Sequence, residues 1–100
     1  MLFEWDENKR KEVIRKHRID ILYAAQIFEG DVLTRIDDRA DYGEIRLISL
    51  GLVENECFVV VHTERNGAVR LITAWKGGRD ERSQYEAGIA RRNQADEGKE

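Results

Sequence analysis

The sequence has no proline, a single cysteine, two histidines and no long apolar run, and each scarcity removes a class of protein. No proline-rich linker, internal repeat or low-complexity stretch divides the 100 residues. One domain over residues 1–92 with a flexible tail over 93–100 is therefore expected. The lone Cys57 excludes an internal disulfide; set in the run Cys-Phe-Val-Val-Val, it reads as a buried structural thiol and fits a cytoplasmic protein. With His17 and His62 far apart and no second cysteine, there is no metal-ligand spacing, so neither a metal nor another cofactor is expected. No stretch approaches the roughly 18 apolar residues of a membrane span, and Leu2-Phe3 is interrupted at once by Glu4, which leaves no visible signal peptide and no membrane partner. Phosphate-cradling glycine loops and Gly-x-Ser-x-Gly elbows are missing too, since Gly77-Gly78-Arg79 lacks the rest of either motif. A net charge of -3 argues against a protein that holds nucleic acid by bulk electrostatics, while leaving room for a local basic site.

What is present is organised. At 41% hydrophobic and 37% charged residues the chain is charge-rich, but its apolar residues fall in periodic runs rather than in the pattern of a disordered segment. Leu2 to Trp5 reads as a short strand and Asp6 as an N-cap. Glu7 to His17 follows as a thin helix in which Val13, Ile14 and His17 form the inward stripe. His17 then faces inward near the helix C-terminus, where packing and capping is the ordinary role. Asp20 opens a second helix, residues 20–29, with Ile21, Ala24, Ala25 and Phe28 at i, i+3, i+4 and i+7, and Gly30 ends it. Val32 to Ile36 reads as a strand and Asp37 to Asp41 as a polar turn with local side-chain hydrogen bonds. Three longer strands are expected over Gly43–Val53, Cys57–Glu64 and Ala68–Lys76, joined by a tight turn at Glu54–Glu56 and a hairpin at Asn66-Gly67. Gly77-Gly78 breaks the last strand, and Asp80 stands as the N-cap of a closing helix.

These elements describe an α+β domain with a mostly antiparallel sheet of four or five strands, two N-terminal helices on one face and a C-terminal helix. Apolar residues on both faces of the long strands imply cover on both sides, by the C-terminal helix or by a partner chain. Strict alternation along the last strand puts Thr73 and Trp75 on one face and Arg70, Ala74 and Lys76 on the other. Arg, Lys, Glu and His residues gather at strand ends, most often a solvated, salt-bridged surface. The same set can also cleave RNA: one group takes the 2′-OH proton, cations stabilise the charged transition state and a third group protonates the leaving 5′ oxygen.

The stretches FEWDENKR, Arg15-Lys16-His17, YAAQIFEG, DRADYGEIRLISLGL, VVVHTER and VRLITAWKGGRDERSQYE, in this order over about residues 2–86, resemble the BrnT family of type II toxins. That resemblance implies a RelE-like ribonuclease fold, RNA cleavage that inhibits translation and growth, and a BrnA-like antitoxin that carries the DNA-binding domain and represses the operon in complex with a toxin dimer. DNA then enters only indirectly, through the antitoxin. Carried over residue by residue, the pattern matches Lys16, His17, Glu44, Arg46, Thr63, Arg65, Arg70, Thr73, Lys76, Arg79, Glu81, Arg82 and Tyr85. Within that set Arg70 and Lys76 are the candidates for phosphate or transition-state contacts, with Arg46 beside them, and Glu44 and His17 for proton transfer. Arg65, Arg79, Arg82, Tyr85 and Trp75 are the candidates for holding RNA. Where the family reads Ala-Arg-Lys-Ala, this chain has Ala74-Trp75-Lys76-Gly77. Trp75 is then either a stacking platform for a base or the mark of an attenuated enzyme. Two functions follow: a metal-independent endoribonuclease toxin, or a weakened homologue acting mainly as an antitoxin-binding module and co-repressor. An independent DNA-binding regulator is opposed by the acidic balance and the lack of a reading helix.

Overall fold

The computed structural model describes residues 1–97. Strand β1 (Phe3–Trp5) leads into helix α1 (Glu7–His17), a single helical turn α2 (Ile21–Ala24) and a 3₁₀ segment (Ala25–Glu29). Strands β2 (Leu33–Ile36), β3 (Leu47–Val53), β4 (Glu56–Arg65) and β5 (Ala68–Lys76) follow, and helix α3 (Arg79–Glu97) closes the chain. The architecture is α+β, and the five-stranded sheet has the order β1-β5-β4-β3-β2. β2 to β5 form the expected antiparallel meander, but β1 pairs parallel with β5 through Phe3↔Val69 and Trp5↔Leu71, so the sheet is mixed. A parallel pair needs a long crossover, and here everything from α1 to β4 supplies it.

Local chemistry explains where the elements depart from expectation. α1 is capped by Asp6, whose carboxylate accepts from the Asn8 and Lys9 N–H groups, and it ends on Arg18 in the left-handed region (φ 62). His17 is consequently exposed rather than inward, and Val13 is the residue of α1 that is buried. The joint to α2 is held by Arg10, which donates to both oxygens of Asp20 at 2.9 and 2.7 Å. The helix expected over residues 20–29 tightens to 3₁₀ geometry after Ala24. That tightening lays Ile27 against Gly51 of β3, where a Cβ would stand 2.6 Å from the Ile27 Cβ. β3 starts at Leu47 rather than Gly43, because Gly43 is itself a turn residue (φ 73) whose N–H donates to Asp41. Both hairpin turns have positive φ at their central residues, Glu54-Asn55 and Asn66-Gly67, the geometry whose twist matches paired strands. Gly78, not Asp80, caps α3. The Gly78 carbonyl accepts the Arg82 N–H as the first helical bond, while Glu81 reaches back to the Gly78 N–H, the half of a capping box that needs no N-cap side chain. α3 continues to Glu97, past the point where the tail over 93–100 was expected to begin; residues 98–100 lie outside the described residues.

Two cores flank the sheet. Val13, Ile21, Ile27, Phe58, Val60, Leu71 and Ala74 pack under α1, α2 and the 3₁₀ segment. Ile48, Leu50, Cys57, Val59, Val61 and Tyr85 pack on the other face, with Ile72 and Trp75 beside them. α3 thus supplies cover for the second face, lying against β2, β3 and β4. Its residues 90–95 are all exposed.

The decisive irregularity is a β-bulge. β4 and β5 are in register as Val61↔Thr73 but as His62↔Leu71 on the other side of the shift, so Ile72 is an extra residue and the side-chain parity of β5 changes there. Val69 and Leu71 join the core of α1, whereas Ile72 and Trp75 join that of α3. Arg70, adjacent to Leu71 and opposite in direction, therefore shares the face of Trp75 and not that of Ala74 and Lys76. This reverses the placement that strict alternation implies.

Candidate functional site

The bulge gathers part of the expected site on the α3 face of the sheet. Glu44, Arg46 and Arg70 line one hollow of ≈ 290 Å³ with Lys9, Asp6 and Ile72. Glu44 lies between two guanidinium groups, 3.6 Å from Arg46 and 3.7 Å from Arg65. Arg46 also sits over the Tyr42 ring at 4.1 Å, a stacking that holds its planar group flat. Arg70 is 3.6 Å from Glu4 of β1, its direct partner across the parallel pair. Thr63, next to this group, donates its hydroxyl to the Ile45 carbonyl at 2.7 Å, which ties the loop before β3 to the end of β4. The result is three arginines around two carboxylates, Glu44 between Arg46 and Arg65 and Glu4 against Arg70, with every one of these side chains partly exposed. Such a set can accept a proton and hold a phosphate together.

Along β5 in the other direction, the same face carries a second hollow of ≈ 200 Å³, floored by Ile48, Leu50 and Val59 and walled by Trp75, Arg35 and Arg39. The Arg39 guanidinium stands 5.6 Å from the centre of the Trp75 ring, and the His17 ring lies 6.3 Å from it. Asp37, buried at 4% exposure, accepts from Arg39 Nε at 2.7 Å and Nη2 at 2.8 Å. The Arg39 guanidinium beside it holds the Asp37 carboxyl down at about 2.

The remaining sequence candidates lie elsewhere. Lys76 is at the opposite end of β5 from Arg70, about 20 Å away at about 3.3 Å per residue, and pairs with Glu56 at 3.1 Å. Arg79 and Arg82 share its hollow. Arg82 is occupied as a brace, donating to the Asn55 carbonyl and side chain and to Glu86. Tyr85 is buried, and its hydroxyl donates to the Asp31 carbonyl at 2.9 Å, so its ring has no face free for a base and packs α3 onto the sheet. His17 is exposed beside Trp75 and lines neither hollow. The buried His62 is engaged through Nε2 with Ser49 at 2.8 Å, and burial pushes its pKa down. Burial likewise pushes the Cys57 thiol up.

Sequence reasoning did not single out Arg35, Arg39, Asp37 or Tyr42. The available signal was the interleaving of Arg35, Arg39, Tyr42 and Arg46 around one polar turn, a spacing of cations and an aromatic that only the folded loop brings onto the sheet.

Among protein-family models, one matches residues 5–81 of the chain; it is described as ribonuclease toxin, BrnT, of type II toxin-antitoxin system. No curated protein matches the chain.

Proposed function

The chain belongs to the BrnT family of ribonuclease toxins of type II toxin–antitoxin systems, and on that footing we propose that it cuts RNA internally, without a metal, at the hollow of Glu44, Arg46 and Arg70. The observation that carries this reading is the position of Glu44 between Arg46 and Arg65, in the hollow that Arg70 shares. Glu44 takes the proton of a ribose 2′-OH; the 2′ oxygen attacks the adjacent phosphorus, the bond to the 5′ oxygen breaks as that oxygen takes a proton from water, and a 2′,3′-cyclic phosphate and a 5′-OH result. Arg70 and Arg46 donate to the phosphate oxygens as negative charge builds there, the kind of preorganised contact that supplies most of the barrier reduction in such sites. Trp75 is half-buried beside Arg39, which favours a stacking platform over a disabled arginine position.

The family implies a protein antitoxin as partner. We read that partner as BrnA-like, assembling with a toxin homodimer in the cytoplasm and reaching DNA on the toxin's behalf. No described helix is long and apolar enough to cross a membrane. RNA incubated with the purified chain in excess EDTA is expected to yield fragments with cyclic phosphate ends. Intact RNA under those conditions, alongside retained antitoxin binding, would overturn the enzymatic reading in favour of a binding module. Sedimentation of the toxin with its antitoxin is expected to give an assembly holding two toxin chains.

A further inference from the structure

The second hollow is a site in its own right. Its floor is apolar, one wall is the Trp75 ring, and the polar groups turned toward it include two guanidinium groups. Arg39 is held from behind: Asp37 occupies its Nε and one Nη2 position, which fixes its plane near Trp75 and leaves Nη1 without a carboxylate partner. Arg39 nevertheless keeps 55% of its side chain exposed, whereas the Asp37 side chain has none, so the cavity meets the cation and not its counter-ion. Arg35 on β2 is exposed and has no ion-pair partner among the described residues. Glu81, the carboxylate on the rim, is turned to the Gly78 N–H at 3.2 Å. An apolar floor and an aromatic wall fit a planar, weakly polar group; one oriented guanidinium and a second cation beside it fit a phosphate. A volume of ≈ 200 Å³ corresponds to roughly six or seven waters at about 30 Å³ each, room for one nucleobase.

We propose that this hollow binds one nucleotide of the RNA, its base against Trp75 over Ile48, Leu50 and Val59 and its phosphate on Arg39 and Arg35, with Asp37 as the positioning residue that aims Arg39. The inference rests on the ribonuclease reading for its substrate, but it concerns residues outside the Glu44 hollow. It makes the Trp75 side a subsite that grips the strand at a fixed distance from the cleaved bond.

The test uses the full chain carrying Trp5→Phe, which leaves Trp75 as the single tryptophan. Titration with each of the four ribonucleoside 3′-monophosphates is expected to quench its emission saturably, and inorganic phosphate is expected to compete without quenching. Arg39→Gln should weaken nucleotide binding about tenfold to a hundredfold, the range of one charge-assisted hydrogen bond, and raise KM for RNA with kcat nearly unchanged. Arg39→Lys should restore part of that loss, and Arg35→Gln, on an exposed edge-strand position, gives a second variant with little bearing on folding. Absence of saturable quenching, or unchanged nucleotide affinity and KM in both glutamine variants, overturns the proposal. Nucleotide binding by a chain that leaves RNA intact would instead sink the ribonuclease reading and leave this site standing. RNA cleaved with nucleotide affinity and KM unchanged in both glutamine variants would do the reverse.

Discussion

Glu44 and Lys76 were both legible as site candidates from residue type and resemblance, and the fold separates them. Lys76 lies about 20 Å from Arg70 along one strand and is paired with Glu56 on an exposed edge, an interaction of small energetic weight. Lys76→Ala is therefore expected to leave RNA cleavage close to the parent rate. Glu44→Gln keeps shape and removes the proton acceptor, so kcat should fall about 10²–10⁴-fold, the usual share of a general base, with KM little changed. Single-turnover cleavage assays of the two variants side by side check both. Trp75→Arg is expected to lower cleavage, because it puts a third guanidinium beside Arg35 and Arg39 and removes the aromatic wall; a raised rate would mark Trp75 as a disabled arginine position. What could not be read at this scale was commitment. Arg82 and Tyr85 have the chemistry to meet RNA, yet one braces the Asn55 turn and the other is buried with its hydroxyl on Asp31. Residue type shows capacity, and only packing shows whether a group is already in use.

At the scale of the elements, turn chemistry and the long β-branched runs gave the meander correctly, since Asn-Gly and Glu-Asn turns between apolar strands are local signals. The bulge at Ile72 has no such signal. It reflects how β4 and β5 settle against two different cores, a tertiary outcome that moves Arg70 to the face of Trp75. The 3₁₀ segment is similar: its sequence has helical periodicity, but the approach of Ile27 to Gly51 decides its geometry. Gly51→Ala tests this directly. The new methyl would meet the Ile27 Cβ at 2.6 Å, close to backbone and unable to swing away, so overpacking should cost about 1–3 kcal/mol. A domain of this size loses about 4–8 °C in Tm per kcal/mol, and thermal unfolding reads the change. An unchanged Tm would show that the 3₁₀ segment shifts freely over the sheet.

For the molecule as a whole, the parallel β1 was the feature least open to sequence reasoning, because three residues can pair with either edge of a meander and alternate equally well in both directions. The two-sided core was legible, and its buried polar groups now set how the molecule responds to acid. His62 lies between Leu47 and Leu71 in the sheet, edge-on to Phe28 at 5.1 Å and bonded to Ser49. Burial lowers its pKa, and the charge of Glu64 opposes that only in part. The unfolded chain therefore binds a proton near the ordinary value of 6.5 while the folded chain refuses it. Below that pH the unfolded state holds more protons, so stability is full above it and declines as pH falls toward the depressed folded value. For one proton the slope cannot exceed about 1.4 kcal/mol per pH unit. Asp20 and Asp37 act lower on the scale: Arg10 and Arg39 hold their carboxyls down, Asp37 to about 2. Their stabilisation is complete above the ordinary value of 3.8 and disappears as pH falls through the depressed folded values. Acid should thus weaken the protein in two separate stages, the first from His62 alone. Urea midpoints measured from pH 8 to pH 4.5 are expected to fall on the acid side of 6.5, and to lose that dependence in His62→Gln. A parent midpoint that stays flat across the interval would mean that His62 takes up its proton without leaving the fold, and that the Ser49 pair tolerates the charge.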